Sequence, residues 1–128
     1  MNFVEPIRDK TTVQDIADYL KERNEKYYIM FLIGIYSGLR VSDILKLKIR
    51  DVKGKDEIKI REKKTGKEKI FPVNAELKKP LTAYCEKHKD YEYVVPSARA
   101  VNKAISREYA YRVIHEAGEA FGLDNLGS

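Results

Sequence analysis

Arg40 and Asp43 stand three apart in Ser37-Gly-Leu-Arg-Val-Ser-Asp-Ile-Leu-Lys-Leu47, directly after an uncharged run, Tyr27-Tyr-Ile-Met-Phe-Leu-Ile-Gly-Ile-Tyr36. A guanidinium beside so apolar a stretch is costly to bury unless it is paired. Its planar fork matches phosphate oxygens, so one reading is an arginine held rigidly for a bound anion. The other is an arginine that snorkels to solvent or pairs with Asp43. A second group of cations follows. Residues 53 to 69 hold eight Lys or Arg and four Asp or Glu, a net +4 of the chain's +5. That is either a solvated ribbon of mixed charge or a contact surface for a polyanion. The remaining candidates are weaker. Two histidines, His88 and His115, and one cysteine, Cys85, form no ligand cluster, and no metal site is expected. Arg112 and His115 share one side of a helix and read as a surface pair.

These groups need elements to position them. The run from Tyr27 to Tyr36 is too short to span a bilayer and reads as a helix buried on nearly all sides. Ser37-Gly38 is its stop signal. Ser42 can cap a second helix carrying Ile44, Leu45 and Leu47, which places Arg40 at the elbow between them. Before the buried helix, residues 1 to 10 form a loose lead-in. Thr11 and Gln14 then suggest a capping box for an amphipathic helix from Thr12 to about Arg23, with Asn24 breaking it. The first two helices also permit a helix-turn-helix reading, which the apolar second helix argues against.

From Asp51 the period becomes two. Ile58 and Ile60 alternate with Lys59 and Arg61, and Lys67, Lys69 and Phe71 with Glu68, Ile70 and Pro72. With Lys63-Lys64-Thr65-Gly66 between them, this predicts a β-hairpin whose glycine supplies positive φ. Asn74 can cap a helix from Ala75 to about His88; Pro80 either kinks it or marks its true start. Tyr91 to Pro96 reads as a short extended piece, and residues 97 to 105 as a loop. Ser106 opens the last helix, with Ala110, Val113, Ile114, Ala117, Ala120 and Phe121 inward, and Gly122 ends it. The fold class is therefore α+β, mostly helical with a small antiparallel β-sheet, in a single domain over residues 1–128.

The order of events carries a resemblance. Ser37-Gly-Leu-Arg-Val-Ser-Asp-Ile-Leu-Lys-Leu47 is similar to the first catalytic box of the tyrosine recombinases, the phage integrase family. The basic hairpin with Lys64-Thr-Gly-Lys67 at its tip and Ile70-Phe-Pro-Val73 on its return resembles the hairpin that bears that family's catalytic lysine. The resemblance implies that Arg40 contacts the scissile phosphate, that Asp43 supports it, and that Lys64 protonates the leaving 5′ oxygen. Lys63 is the choice if the register slips by one. Arg61, Lys63 and Lys67 would contact double-stranded DNA. The family cuts and rejoins DNA through a 3′ phosphotyrosine, without cofactor, and works as a tetramer on DNA.

The resemblance covers roughly residues 5 to 126 and only the front part of that catalytic domain. The family's second box, His-x-x-Arg, is absent: His88 is followed by Tyr91 and His115 by Gly118. None of the nine tyrosines lies after Tyr111, where the nucleophile belongs. The expectation is a truncated, monomeric fragment that does not cleave DNA, its last residues, Gly127-Ser128, being native or a cloning remnant. The alternative is a natural non-catalytic protein that binds DNA or a recombinase. An RNA-binding α+β domain is a third possibility, disfavoured because the strands lack aromatic residues for stacking bases.

Composition agrees with this. The chain has 128 residues, 43% of them hydrophobic and 35% charged, which suits one soluble globular domain. A pI near 9.2 favours an anionic partner. One cysteine, Cys85, excludes an internal disulfide framework and suits a reducing cytoplasm. No signal peptide or membrane span is visible.

Overall fold

In the computed structural model of the chain, which describes residues 9–123, the apolar run becomes the central strut. Helix α1 (Lys10–Arg23) leads into α2 (Glu25–Ser37) through Asn24. Two single turns follow, α3 (Val41–Ile44) and α4 (Ile49–Val52). Strands β1 (Glu57–Arg61) and β2 (Glu68–Pro72) form a two-stranded antiparallel sheet. Helices α5 (Ala75–Glu86) and α6 (Arg107–Glu119) complete the fold. The mostly helical domain with a small antiparallel sheet expected from the sequence is what forms.

Helix α2 packs on α1 along one side and on α5 along another, and α6 closes against α1 and α3. Residues 29 to 34 of α2 are all buried. At roughly 1.5–3 kcal/mol per fully buried large apolar side chain, this helix is held by packing, not by propensity. The hairpin register sets Ile58 opposite Phe71 and Ile60 opposite Lys69. Ile58, Ile60 and Phe71 face the core while Glu57, Lys59 and Arg61 stay in solvent.

Several local expectations are corrected. Helix α1 starts earlier than Thr12, because Asp9 accepts the Thr11 N–H at 2.9 Å; Gln14 bonds Asp18 and makes no capping box with Thr11. The segment after the elbow is a single turn capped by Arg40, with no role for Ser42 as cap, so Leu45 and Leu47 lie beyond it. The expected Asn74 cap and Ala75 start of α5 hold, with Asn74 accepting the Leu77 N–H at 2.9 Å, but the helix runs through Pro80 and ends at Glu86, short of His88. The extended piece before Pro96 is not a strand of the sheet. It lies along residues 47 to 50, with Val94 N–H on the Leu47 carbonyl and Ile49 N–H on that of Glu92. Ala120 and Phe121 are exposed: α6 loses helical phase after Glu119, and Phe121 stands edge-on to Tyr19. The lead-in before Asp9 and Gly127-Ser128 lie outside the described residues.

Candidate phosphate-contacting site

The elbow is built from backbone geometry. Gly38 ends α2 with φ 71° and returns its N–H to the Gly34 carbonyl at 2.9 Å. A residue with a Cβ resists that conformation, so glycine is required there. The Ser37 hydroxyl donates to the Ile33 carbonyl and accepts the Leu39 N–H at 3.1 Å, stitching the turn to the helix. Leu39 and Val41 are both buried and clamp Arg40 from either side. The Arg40 carbonyl accepts the N–H groups of Asp43 and Ile44, so its main chain is fixed as well.

The Arg40 side chain is half-buried, and none of the described residues hydrogen-bonds or ion-pairs with it. Pairing with Asp43, one of the two readings open from sequence, is not what forms. Asp43 is fully buried at 0% exposure, and its Oδ1 is shared by two other groups. The Lys46 ammonium lies 3.0 Å away, and the backbone N–H of Lys63 donates to it at 3.2 Å. The other oxygen, Oδ2, is buried without a donor among the described residues. Lys46 also donates to the Arg61 carbonyl at 3.0 Å, a second tie between elbow and hairpin.

These ties bring the elbow and the hairpin turn together. The turn itself is closed by Glu62 N–H to the Lys67 carbonyl and Gly66 N–H to the Glu62 carbonyl, both 2.8 Å, with Gly66 at φ 71°. Lys64 is therefore one residue from a main-chain bond to Asp43, and Arg40 is three residues from it on the other side. Lys63, Lys64 and Lys67 are exposed and form no ion pair among the described residues. Arg61 differs: its guanidinium donates to the Gly66 carbonyl at 2.7 Å and braces the turn. Lys46 was missed from sequence, although its position three after Asp43 was a usable signal. Among the described residues no three of His, Cys, Asp and Glu gather as metal ligands. Nor is any described helix long and apolar enough to cross a membrane.

The fold and this elbow define a class. The phage integrase family matches residues 8–128, and the chain belongs to that family. Among its relatives is the probable integrase/recombinase YoeC of Bacillus subtilis (strain 168), 39% identical over 128 residues, all of this chain and 70% of that protein. Among solved structures, the XerA recombinase superposes with a TM-score of 0.75 at 22% identity, over 93% of this chain. At that identity the likeness speaks for the fold, and the chain spans 44% of the XerA chain.

Proposed function

We propose that this chain supplies the phosphate-gripping front of a DNA strand-cutting and rejoining domain. Arg40 binds the non-bridging oxygens of a phosphodiester, and Lys64 serves as general acid to the leaving 5′ oxygen. Asp43 aligns the two, and Lys63 and Lys67 hold neighbouring backbone phosphates, with Arg61 bracing the turn that presents them. The observation that supports this most is the half-buried Arg40, whose side chain has no partner among the described residues, set on a fixed main chain three residues before a carboxylate that is bonded to the lysine-bearing turn. Fixed cations stabilise the charge that develops on phosphorus because they need no reorganisation during the reaction.

The 128 residues alone hold no His-x-x-Arg box and no tyrosine after Tyr111. By themselves they bind duplex DNA without cleaving it and are monomeric in solution; the whole protein works as a tetramer on DNA. The test is fluorescence anisotropy with a short duplex at low salt, read beside a nicked substrate that traps covalent adducts. Arg40→Ala should weaken binding about tenfold at an unchanged melting temperature. If Arg40→Ala instead unfolds the chain, Arg40 has only a structural role. If no duplex binds, the DNA reading fails, and an adduct with the 128-residue chain would refute the binding-only role.

A further inference from the structure

A cavity of about 470 Å³ opens at the far end of α2 from Arg40. Its walls are the first turn of α2, the segment from Ser97 to Ser106, and the first turns of α6. Lys26, Arg99, Lys103 and Arg112 line it, and among the described residues no acidic side chain does. Four cations facing one cavity repel each other unless an anion joins them.

Lys26 is the unusual member. Its exposure is 9%, and its ammonium donates to the Pro96 carbonyl at 2.8 Å. No carboxylate pairs with it among the described residues. Its ammonium also lies over the Tyr27 ring, 5.5 Å from the centroid, but no anion balances the charge among the described residues, although burial of such a charge ordinarily demands one. Burial accordingly pulls the Lys26 pKa down. Both long helices that border the cavity begin at it. Lys26 is the second residue of α2, and Ser106 is the cap of α6. Helix starts carry partial positive charge, which adds to that of the side chains.

The wall is also preorganised. Ser97 N–H bonds the Lys103 carbonyl at 2.7 Å, and Ile105 N–H bonds that of Val95 at 3.1 Å. The Ser97 hydroxyl accepts the N–H groups of Arg99 and Ala100. On the helix side, the Tyr27 hydroxyl bonds that of Tyr109 at 3.3 Å, and Arg112 lies over the Tyr109 ring.

We propose that this cavity is a phosphate-binding site, with Lys26 as its buried anchor and Arg99, Lys103 and Arg112 around the entrance. The phosphate is either that of a free phosphomonoester or a backbone phosphate of a bound nucleic acid. The site is independent of the elbow, about 20 Å away at 1.5 Å per residue of α2. The test follows the amide resonances of Ser97 to Ser106 and the first turn of α6 during titration. The probes are inorganic phosphate, adenosine 5′-monophosphate, and a short DNA duplex without terminal phosphates. Saturable shifts with the first two identify a free phosphate ester as the source; shifts with the duplex alone identify a backbone phosphate. The pair Lys26→Met and Arg112→Gln should weaken either about tenfold or more. Lys26→Met removes a buried charge that no carboxylate balances among the described residues and keeps the apolar stem, and melting temperature checks that the fold survives it. If no probe moves those amides, or the shifts persist undiminished in the double variant at an unchanged melting temperature, the proposal is overturned. A response to phosphate without any response of these amides to duplex keeps this site and leaves the DNA reading of the elbow to the anisotropy test.

Discussion

The carboxylate of Asp43 accepts the backbone N–H of Lys63 at 3.2 Å, joining residues twenty apart in sequence at the heart of the candidate site. The bond runs from a fully buried side chain to a main-chain donor on an exposed turn. It fixes where the hairpin tip lies without engaging either lysine side chain there.

Asp43→Ala should therefore destabilise the domain and free the turn. It removes a buried acceptor shared by Lys46 and the Lys63 amide, and a loss of about 2–3 kcal/mol is expected. Asp43→Asn keeps an acceptor and should cost about 1 kcal/mol less. Urea unfolding measures both, and amide hydrogen exchange at Lys63 should accelerate in the alanine variant alone. Equal protection of that amide in wild type and Asp43→Ala would rule the bond out as a latch.

The three free hairpin lysines predict a salt effect. Replacing Lys63, Lys64 and Lys67 by alanine should lower the slope of log affinity against log salt by about 2 to 3, close to one for each lost phosphate contact. Anisotropy between low and moderate salt reads this directly. An unchanged slope would mean that the ribbon does not touch the duplex.

Gly38→Ala isolates the cost of the elbow. A Cβ at this position would have open space around it, so only the positive φ resists the change. The expected loss is about 1–2 kcal/mol of unfolding free energy. A neutral result would mean that the turn relaxes into another conformation, which spectra of the neighbouring Leu39 and Arg40 amides would reveal.

Alkaline pH should weaken the fold. Burial pushes the Cys85 thiol up to about 11 from its ordinary 9.0, with smaller opposing effects of Lys53 and Asp90. Burial also raises Tyr84, whose hydroxyl donates to the Val94 carbonyl at 2.7 Å. A folded chain that keeps these protons while the unfolded chain loses them is fully stable below about pH 9 and declines above it. Lys26 and Tyr109 shift downward and oppose part of the decline. For Cys85 the loss reaches about 2 kcal/mol near pH 10.5. Urea midpoints from pH 8 to 10.5 should fall less steeply in Cys85→Ala than in wild type; parallel curves would exclude the thiol as the cause.

Much of this was legible because it is local. The apolar run, the Ser37-Gly38 stop and the period-two alternation at Ile58 and Ile60 each declare one element through one physical preference. The single turn at Val41 was overread as a helix, since Leu45 and Leu47 are apolar for packing and not for helical phase. The position of Arg40 at the elbow was readable, but its lack of a partner among the described residues was not. That depends on Asp43 being occupied by Lys46 and by a main-chain group on a distant turn. Lys26 was invisible for the same reason: its acceptor, the Pro96 carbonyl, lies seventy residues away.

The burial of residues 29 to 34 of α2 has one more consequence. A strut packed on α1 and α5 cannot slide without opening the interior, so the positive centres near its two tips keep a constant separation. The domain thus carries a built-in ruler of about 20 Å, and only a ligand at least that long can touch both marks at once.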